Sequence, residues 1–147
     1  MPFELDERLK NDTHFLFAND EFQVLLHKNA NIPWIIIVPK TQKLELFELT
    51  DLQIDHINHL CDSVYKLFQK RFQVEKMNIA AIGNIVSQLH VHAIGRKRTD
   101  ACWPNVVWGA NYDFIAYTES QIEEIRYGLK EIVILQIFKE FSDEPNR

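Results

Sequence analysis

Ser87-Gln88-Leu89-His90-Val91-His92-Ala93-Ile94-Gly95-Arg96 is the stretch on which the reading turns. Two of the chain's six histidines stand two residues apart, with a glutamine two residues earlier and apolar spacers between. Such alternation marks a half-buried strand, because residues i and i+2 of a strand share a face. Residues 85–95 are therefore expected to form one strand. Gln88, His90 and His92 make a column on one face, with about 7 Å between successive members. Leu89, Val91 and Ala93 point the other way, into a core.

Three readings fit this column. It can be the solvated polar face of an ordinary strand. It can offer two imidazoles to a metal ion, which then needs a third His, Cys or carboxylate that the sequence does not single out. Or it can be catalytic, with one imidazole as nucleophile and the other as acid or phosphate partner. Imidazole is neutral and nucleophilic near pH 7. Arg96-Lys97-Arg98 follows directly. A cationic cluster beside two imidazoles suits a phosphate, though it is equally the pattern of a solvated strand end. No GxGxxG and no GxxxxGK[ST] occurs, so neither a dinucleotide fingerprint nor a P-loop is present.

Upstream, residues 4–10 suit a short helix. Phe22–His27 reads as a strand, residues 28–31 as a turn, and Trp34–Val38 as a buried strand rich in β-branched residues, ended by Pro39. These make a hairpin, with Trp34 in the core. Thr50-Asp51-Leu52-Gln53 has the form of a capping box. Behind it Ile57, Leu60, Cys61, Val64, Leu67 and Phe68 recur at three and four, which predicts an amphipathic helix to about Phe72. His56 and His59, at i and i+3 on that helix, have the spacing to share a metal, though on an amphipathic helix they read rather as surface or boundary residues. Residues 77–82 read as a strand, with a turn at Gly83-Asn84. Trp103-Pro104 and Trp108-Gly109 mark an aromatic loop that either packs across a dimer or shapes a substrate end. Thr118-Glu119-Ser120-Gln121 caps a second helix with an apolar face at Ile122, Ile125, Leu129, Ile132 and Val133. Strands, helix, strands, helix, with hairpin connections, favour an α+β fold with antiparallel pairing.

The 147 residues are the size of one domain, expected to span 1–147 and large enough to hold a core without disulfides. A net charge of −5 argues against a general nucleic-acid binder. Cys61 and Cys102 form neither a CxxC pair nor a disulfide framework, which suits a reducing compartment. The N-terminus is charged and shows no apolar signal segment, and the longest apolar run, Trp34–Val38, is too short to span a bilayer. A cytoplasmic protein with no membrane partner is expected.

Gln88-Leu89-His90-Val91-His92-Ala93-Ile94 resembles the signature of the histidine triad (HIT) proteins, His-φ-His-φ-His-φ-φ with φ apolar. The likeness extends over roughly residues 15–110: the hairpin with Pro33, the strand ending Val38-Pro39-Lys40, the long capped helix and the strand at 78–82. It is strongest to the bacterial branch that reads Gln-Leu-His-Val-His and carries a Trp-Pro and Trp-Gly loop. The resemblance implies a five-stranded antiparallel sheet with two main helices, paired as a homodimer. It also implies a hydrolase or transferase that cleaves a small-molecule nucleotide at the phosphate next to the nucleoside, with no metal or other cofactor at the chemical step. His90 aligns with the family's nucleophile and His92 with a phosphate contact, while Gln88 stands where the first histidine usually sits. Glutamine keeps a donor and an acceptor but takes up no proton. The expected substrate contacts are Asn78, Asn84, Arg96 and His27, the last at a position where the family commonly holds the ribose, with Asn29 nearby. The expected activity is cleavage of a dinucleoside polyphosphate or a nucleoside phosphoramidate through a nucleotidyl-histidine. The alternative is a nucleotide-binding module without turnover.

Overall fold

The computed structural model describes residues 2–137 and 142–144. Strands β1 (Thr13–Ala18), β2 (Phe22–His27), β3 (Trp34–Pro39), β4 (Lys76–Ala80) and β5 (Val91–Arg96) form a five-stranded sheet in the order β1-β2-β3-β5-β4. Every neighbouring pair is antiparallel. Helices α2 (Asp51–Phe72) and α3 (Glu119–Ile137) are the two main helices, and a short α1 (Glu7–Asp12) precedes the sheet. The α+β expectation holds.

Both long helices start where their caps place them. The Thr50 hydroxyl accepts from Gln53 N–H at 3.2 Å, and Gln53 Oε1 accepts from Thr50 N–H at 2.9 Å. Thr118 and Gln121 repeat the exchange at α3, at 3.1 and 2.8 Å. Each box satisfies amides that the helix itself leaves free. The predicted stripe of α2 is buried at Ile57, Leu60, Val64, Leu67 and Phe68. Against it packs the α3 stripe of Ile125, Leu129 and Val133. Burial of each such side chain contributes roughly 1.5–3 kcal/mol.

The sheet separates two cores. One face carries Val24, Leu26, Ile35, Ile37, Val91 and Ala93 into the cluster formed with α2 and α3. The other carries Leu25, Trp34, Ile36, Val38 and Ile94, covered by Leu9 of α1 and by Val107, Trp108 and Tyr112. His27 and His92 lie on this second face, whereas His14, paired with Leu26, lies on the helical one. Gly95 lies on the helical face, where a Cβ would stand 2.6 Å from Val74 Cγ1 and 2.8 Å from Phe68 Cδ2. The close approach of the C-terminal end of α2 to β5 therefore requires glycine there.

Three elements differ from the sequence reading. Helix α1 begins at Glu7, not at residue 4, because Asp6 caps it by accepting from Arg8 N–H at 2.8 Å. Strand β1 has no counterpart in the sequence reading: its register shifts between Phe15 and Phe17, so Leu16, Phe17 and Ala18 are all buried and no alternation shows. The histidine strand is shorter than 85–95. Its ladders begin at Ile37↔Val91 on one side and Ala80↔His92 on the other, so residues 85–90 have no strand to pair with. They run as an irregular connection after a turn at Gly83, whose φ of 69° suits glycine.

Candidate functional site

Because Ile36 pairs with His92, and Trp34 lies two residues back along β3, Trp34 and His92 share a face. His27, at the end of β2, stacks on the Trp34 ring with centroids 4.2 Å apart and planes at 9°. His90 enters from just before β5, its ring 4.8 Å from that of His92. This is tighter than the spacing expected along one strand, because His90 precedes the regular strand. His27, Trp34, Ile36, His90 and His92 line an open cavity of about 380 Å³, within the range of small-molecule sites. Its walls come from α1, from residues 82–86 and from Trp108.

Hydrogen bonds assign the ring protons. His90 Nδ1 lies 2.6 Å from the backbone carbonyl of Gln88. A carbonyl only accepts, so Nδ1 carries the proton and donates, which leaves Nε2 of the neutral ring with its lone pair. His92 is the reverse. The Trp34 indole N–H donates to its Nδ1 at 3.0 Å, and indole only donates, so in the neutral ring the proton resides on Nε2. Burial, followed by the neighbouring His90 and His27, pushes the His92 pKa down to about 3. His27 Nδ1 accepts from Asn29 N–H at 3.2 Å, so its proton too is on Nε2. Burial lowers its pKa as well, against an opposing pull from Asp12. One face thus presents a lone pair at His90 and N–H donors at His92 and His27.

The remaining expected residues divide. Asn84 and His27 line the cavity. Asn29 lies beside it and is occupied locally: its side chain accepts from Asn31 N–H and Ile115 N–H. Gln88 does not join the histidine column, because the chain there is not a strand. Its amide turns to the N-terminal segment, accepting from Asp6 N–H and donating to the Glu4 carbonyl, each at 2.8 Å.

Arg96 departs most from expectation. Its side chain is 1 % exposed and pairs with Asp100 through Nε at 2.7 Å and Nη2 at 3.0 Å. Nη1 donates to Asn78 Oδ1 at 3.0 Å, and Trp103 lies against the guanidinium, 5.6 Å from carbon to ring centroid. Arg96 and Asn78 are thereby committed to one another, and neither lines the cavity. Of the cationic cluster, Arg96 is an internal brace for the loop at 97–103, while Arg98 is exposed and turned outward to Glu75. The aromatic loop divides likewise: Trp103 braces Arg96, while Trp108 meets His92 and Trp34 edge-on at 5.0 and 5.8 Å.

Arg8, Asp12 and Trp34 also line the cavity, and the sequence does not mark them as site residues. A strand tryptophan reads as core, although its N–H, once buried, needs an acceptor, and that was the available signal. Arg8 and Asp12 carry none within Glu7-Arg8-Leu9-Lys10-Asn11-Asp12. Among the described residues no three His, Cys, Asp or Glu side chains converge as a metal site. His56 is drawn instead to Glu21, at 2.7 Å.

The HIT domain family model matches residues 8–99. The chain is 32 % identical to a histidine triad protein from Bradyrhizobium japonicum, covering 90 % of this chain and 99 % of that one, with a TM-score of 0.80. For a histidine triad protein from Marinobacter aquaeolei the identity is 34 %, the coverage 92 % and 98 %, and the TM-score 0.80. A diadenosine triphosphate hydrolase from Plasmodium falciparum, 19 % identical, shares the fold at a TM-score of 0.57 over 91 % of this chain and 82 % of that one. No curated protein matches the chain. With the family model matched over residues 8–99, the two signature histidines on one cavity, and relatives that align along nearly their whole length, the chain belongs to the histidine triad family.

Proposed function

We propose that the protein is a nucleotide hydrolase or transferase that cleaves a dinucleoside polyphosphate, of the diadenosine tetraphosphate kind, or a nucleoside phosphoramidate. The observation that carries this reading is the His90 Nδ1–H bond to the Gln88 carbonyl, which leaves Nε2 as a lone pair at the cavity. In the first step Nε2 attacks the phosphorus next to the nucleoside. A P–N bond forms, the P–O or P–N bond to the leaving group breaks, and the leaving group departs with the electron pair, a phosphate as its anion and an amine after its nitrogen has taken a proton from solvent. Water then attacks the same phosphorus and gives its proton to solvent, the P–N bond to His90 breaks with its electron pair returning to Nε2, and the nucleoside monophosphate is released. Two easier displacements replace one difficult one. The Nε2–H groups of His92 and His27 are available to the phosphoryl oxygens and the ribose. The fold shared with a diadenosine triphosphate hydrolase supports the substrate class.

A homodimer belongs to the same proposal. Strand β4 is an unpaired edge of the sheet, and Ile79 on it and Ile82 just beyond it are exposed, the features of an edge that accepts another chain. Light scattering after size exclusion measures this directly.

The test is a product assay with diadenosine tetraphosphate and, separately, adenosine phosphoramidate. Wild type is expected to release nucleotide, His90→Asn none, and the products locate the bond cut. An acid-labile adenylyl label on wild type, absent from His90→Asn, supports the intermediate. Nucleotide bound by wild type without release overturns the enzyme reading in favour of a binding module.

A further inference from the structure

We propose that Arg8 is the residue that meets the substrate's phosphate charge, and that Gln88 is a positioning residue that fastens the segment carrying Arg8; this rests on the nucleotide reading above. The site needs a cation. A nucleoside polyphosphate brings several negative charges, while His27 and His92 each accept a hydrogen bond at Nδ1 and are held neutral. Arg8 is the one Lys or Arg among the residues lining the cavity.

Its state fits the role. Among the described residues Arg71, Arg96, Arg98 and Arg126 each pair with a carboxylate, to Glu124, Asp100, Glu75 and Glu123 respectively. Arg8 alone of the described arginines has none. An exposed guanidinium with no internal partner keeps its five donors for a ligand, and their planar fork matches phosphate oxygens. Asp12 is the carboxylate of the lining, and its charge acts on His27, at the end where the ribose is expected.

The mounting explains the glutamine. Gln88 holds the backbone of Glu4 and Asp6 by two opposed hydrogen bonds. Asp6 in turn accepts from Arg8 N–H at 2.8 Å, and Leu9 is buried beneath. A side chain that donates and accepts along one short edge is what two antiparallel backbone groups require, and an amide supplies it. Arg8 follows two residues after the clamp, so the clamp sets where its side chain emerges.

The test is calorimetric titration of wild type, Arg8→Gln and Gln88→Ala with adenosine, AMP and ADP, which needs no turnover. Arg8→Gln is expected to weaken AMP and ADP roughly ten- to hundredfold, the worth of a charged hydrogen bond, and to leave adenosine unchanged. Gln88→Ala is expected to give the same selective loss to a smaller extent, with faster amide exchange at Asp6. Equal AMP affinity in wild type and Arg8→Gln overturns the proposal while the nucleotide reading stands. So does an equal loss for adenosine, which makes Arg8 a structural wall residue. Wild type that binds none of the three overturns the nucleotide reading itself, and the role of Arg8 with it.

Discussion

The indole N–H of Trp34 donates to Nδ1 of His92 across 3.0 Å, and this pair decides which nitrogen of His92 holds the proton. Trp34 has no acceptor nitrogen to offer, so a protonated His92 would set two donors against each other. The hydrogen bond and burial together keep the ring neutral with its proton on Nε2.

Trp34→Phe keeps an aromatic ring under His27 and removes the donor, together with part of the ring volume. His92 is then expected to populate both tautomers and to titrate closer to the ordinary histidine range. Imidazole 15N shifts across pH read this directly and do not depend on turnover. If His92 donates to the phosphoryl group, activity should fall on the order of tenfold, about one hydrogen bond's worth. The acid limb of the pH–rate profile should also move up. Unchanged 15N shifts would remove Trp34 from this role.

Stability should fall with acid before the carboxylates titrate. The folded pKa of His92 is about 3, below its ordinary 6.5, so the unfolded chain binds more protons between those values. Stability therefore rises with pH through that window and is lost as pH falls from 6.5 toward 3. From pH 7 to pH 5 the loss from His92 is about 2 kcal/mol. His27 and His14, also lowered by burial, act in the same direction. Urea midpoints against pH should show this slope, and His92→Asn should flatten it.

The helices are legible in the sequence because their signals are local. Thr50 with Gln53, and Thr118 with Gln121, are caps that act over three residues, and the apolar stripes behind them have one period. The histidine pair is legible for the same reason, since its motif is local, and of the two only His92 lies within β5. What lies outside local reach is not legible. Whether residues 85–90 pair depends on where β3 and β4 end. Whether Arg96 faces a ligand or an acid depends on Asp100 folding back beneath it. That Arg8 reaches the cavity depends on a contact with Gln88, 82 residues from Asp6 in the chain. Strand β1 hides behind its bulge, which breaks the period that would reveal it.

Gly95→Ala should destabilise the fold without touching the cavity, because residue 95 lies on the opposite face of the sheet. The new methyl would meet Val74 Cγ1 at 2.6 Å and Phe68 Cδ2 at 2.8 Å, both on buried side chains. Overpacking of this kind costs about 1–3 kcal/mol. A lower urea midpoint with unchanged slope is expected. Adding Val74→Ala should recover part of the loss, since it removes the nearer clash.

Asp100 should matter more to stability than most surface acids, and removing it tests whether Arg96 is a brace. Its side chain is 8 % exposed and accepts from two of the three nitrogens, Nε and Nη2, of a guanidinium that is 1 % exposed. It also accepts from the backbone N–H groups of Lys97, Cys102 and Trp103. Asp100→Ala leaves the buried Arg96 charge without its counter-ion, which costs about 3–5 kcal/mol. Arg96→Met together with Asp100→Ala removes that stranded charge, so the double variant should be more stable than Asp100→Ala alone. Three denaturation curves measure the coupling. A phosphate-binding Arg96 would give the opposite pattern: little loss of stability on removing Asp100, and a loss of AMP affinity in Arg96→Met that the buried brace does not predict.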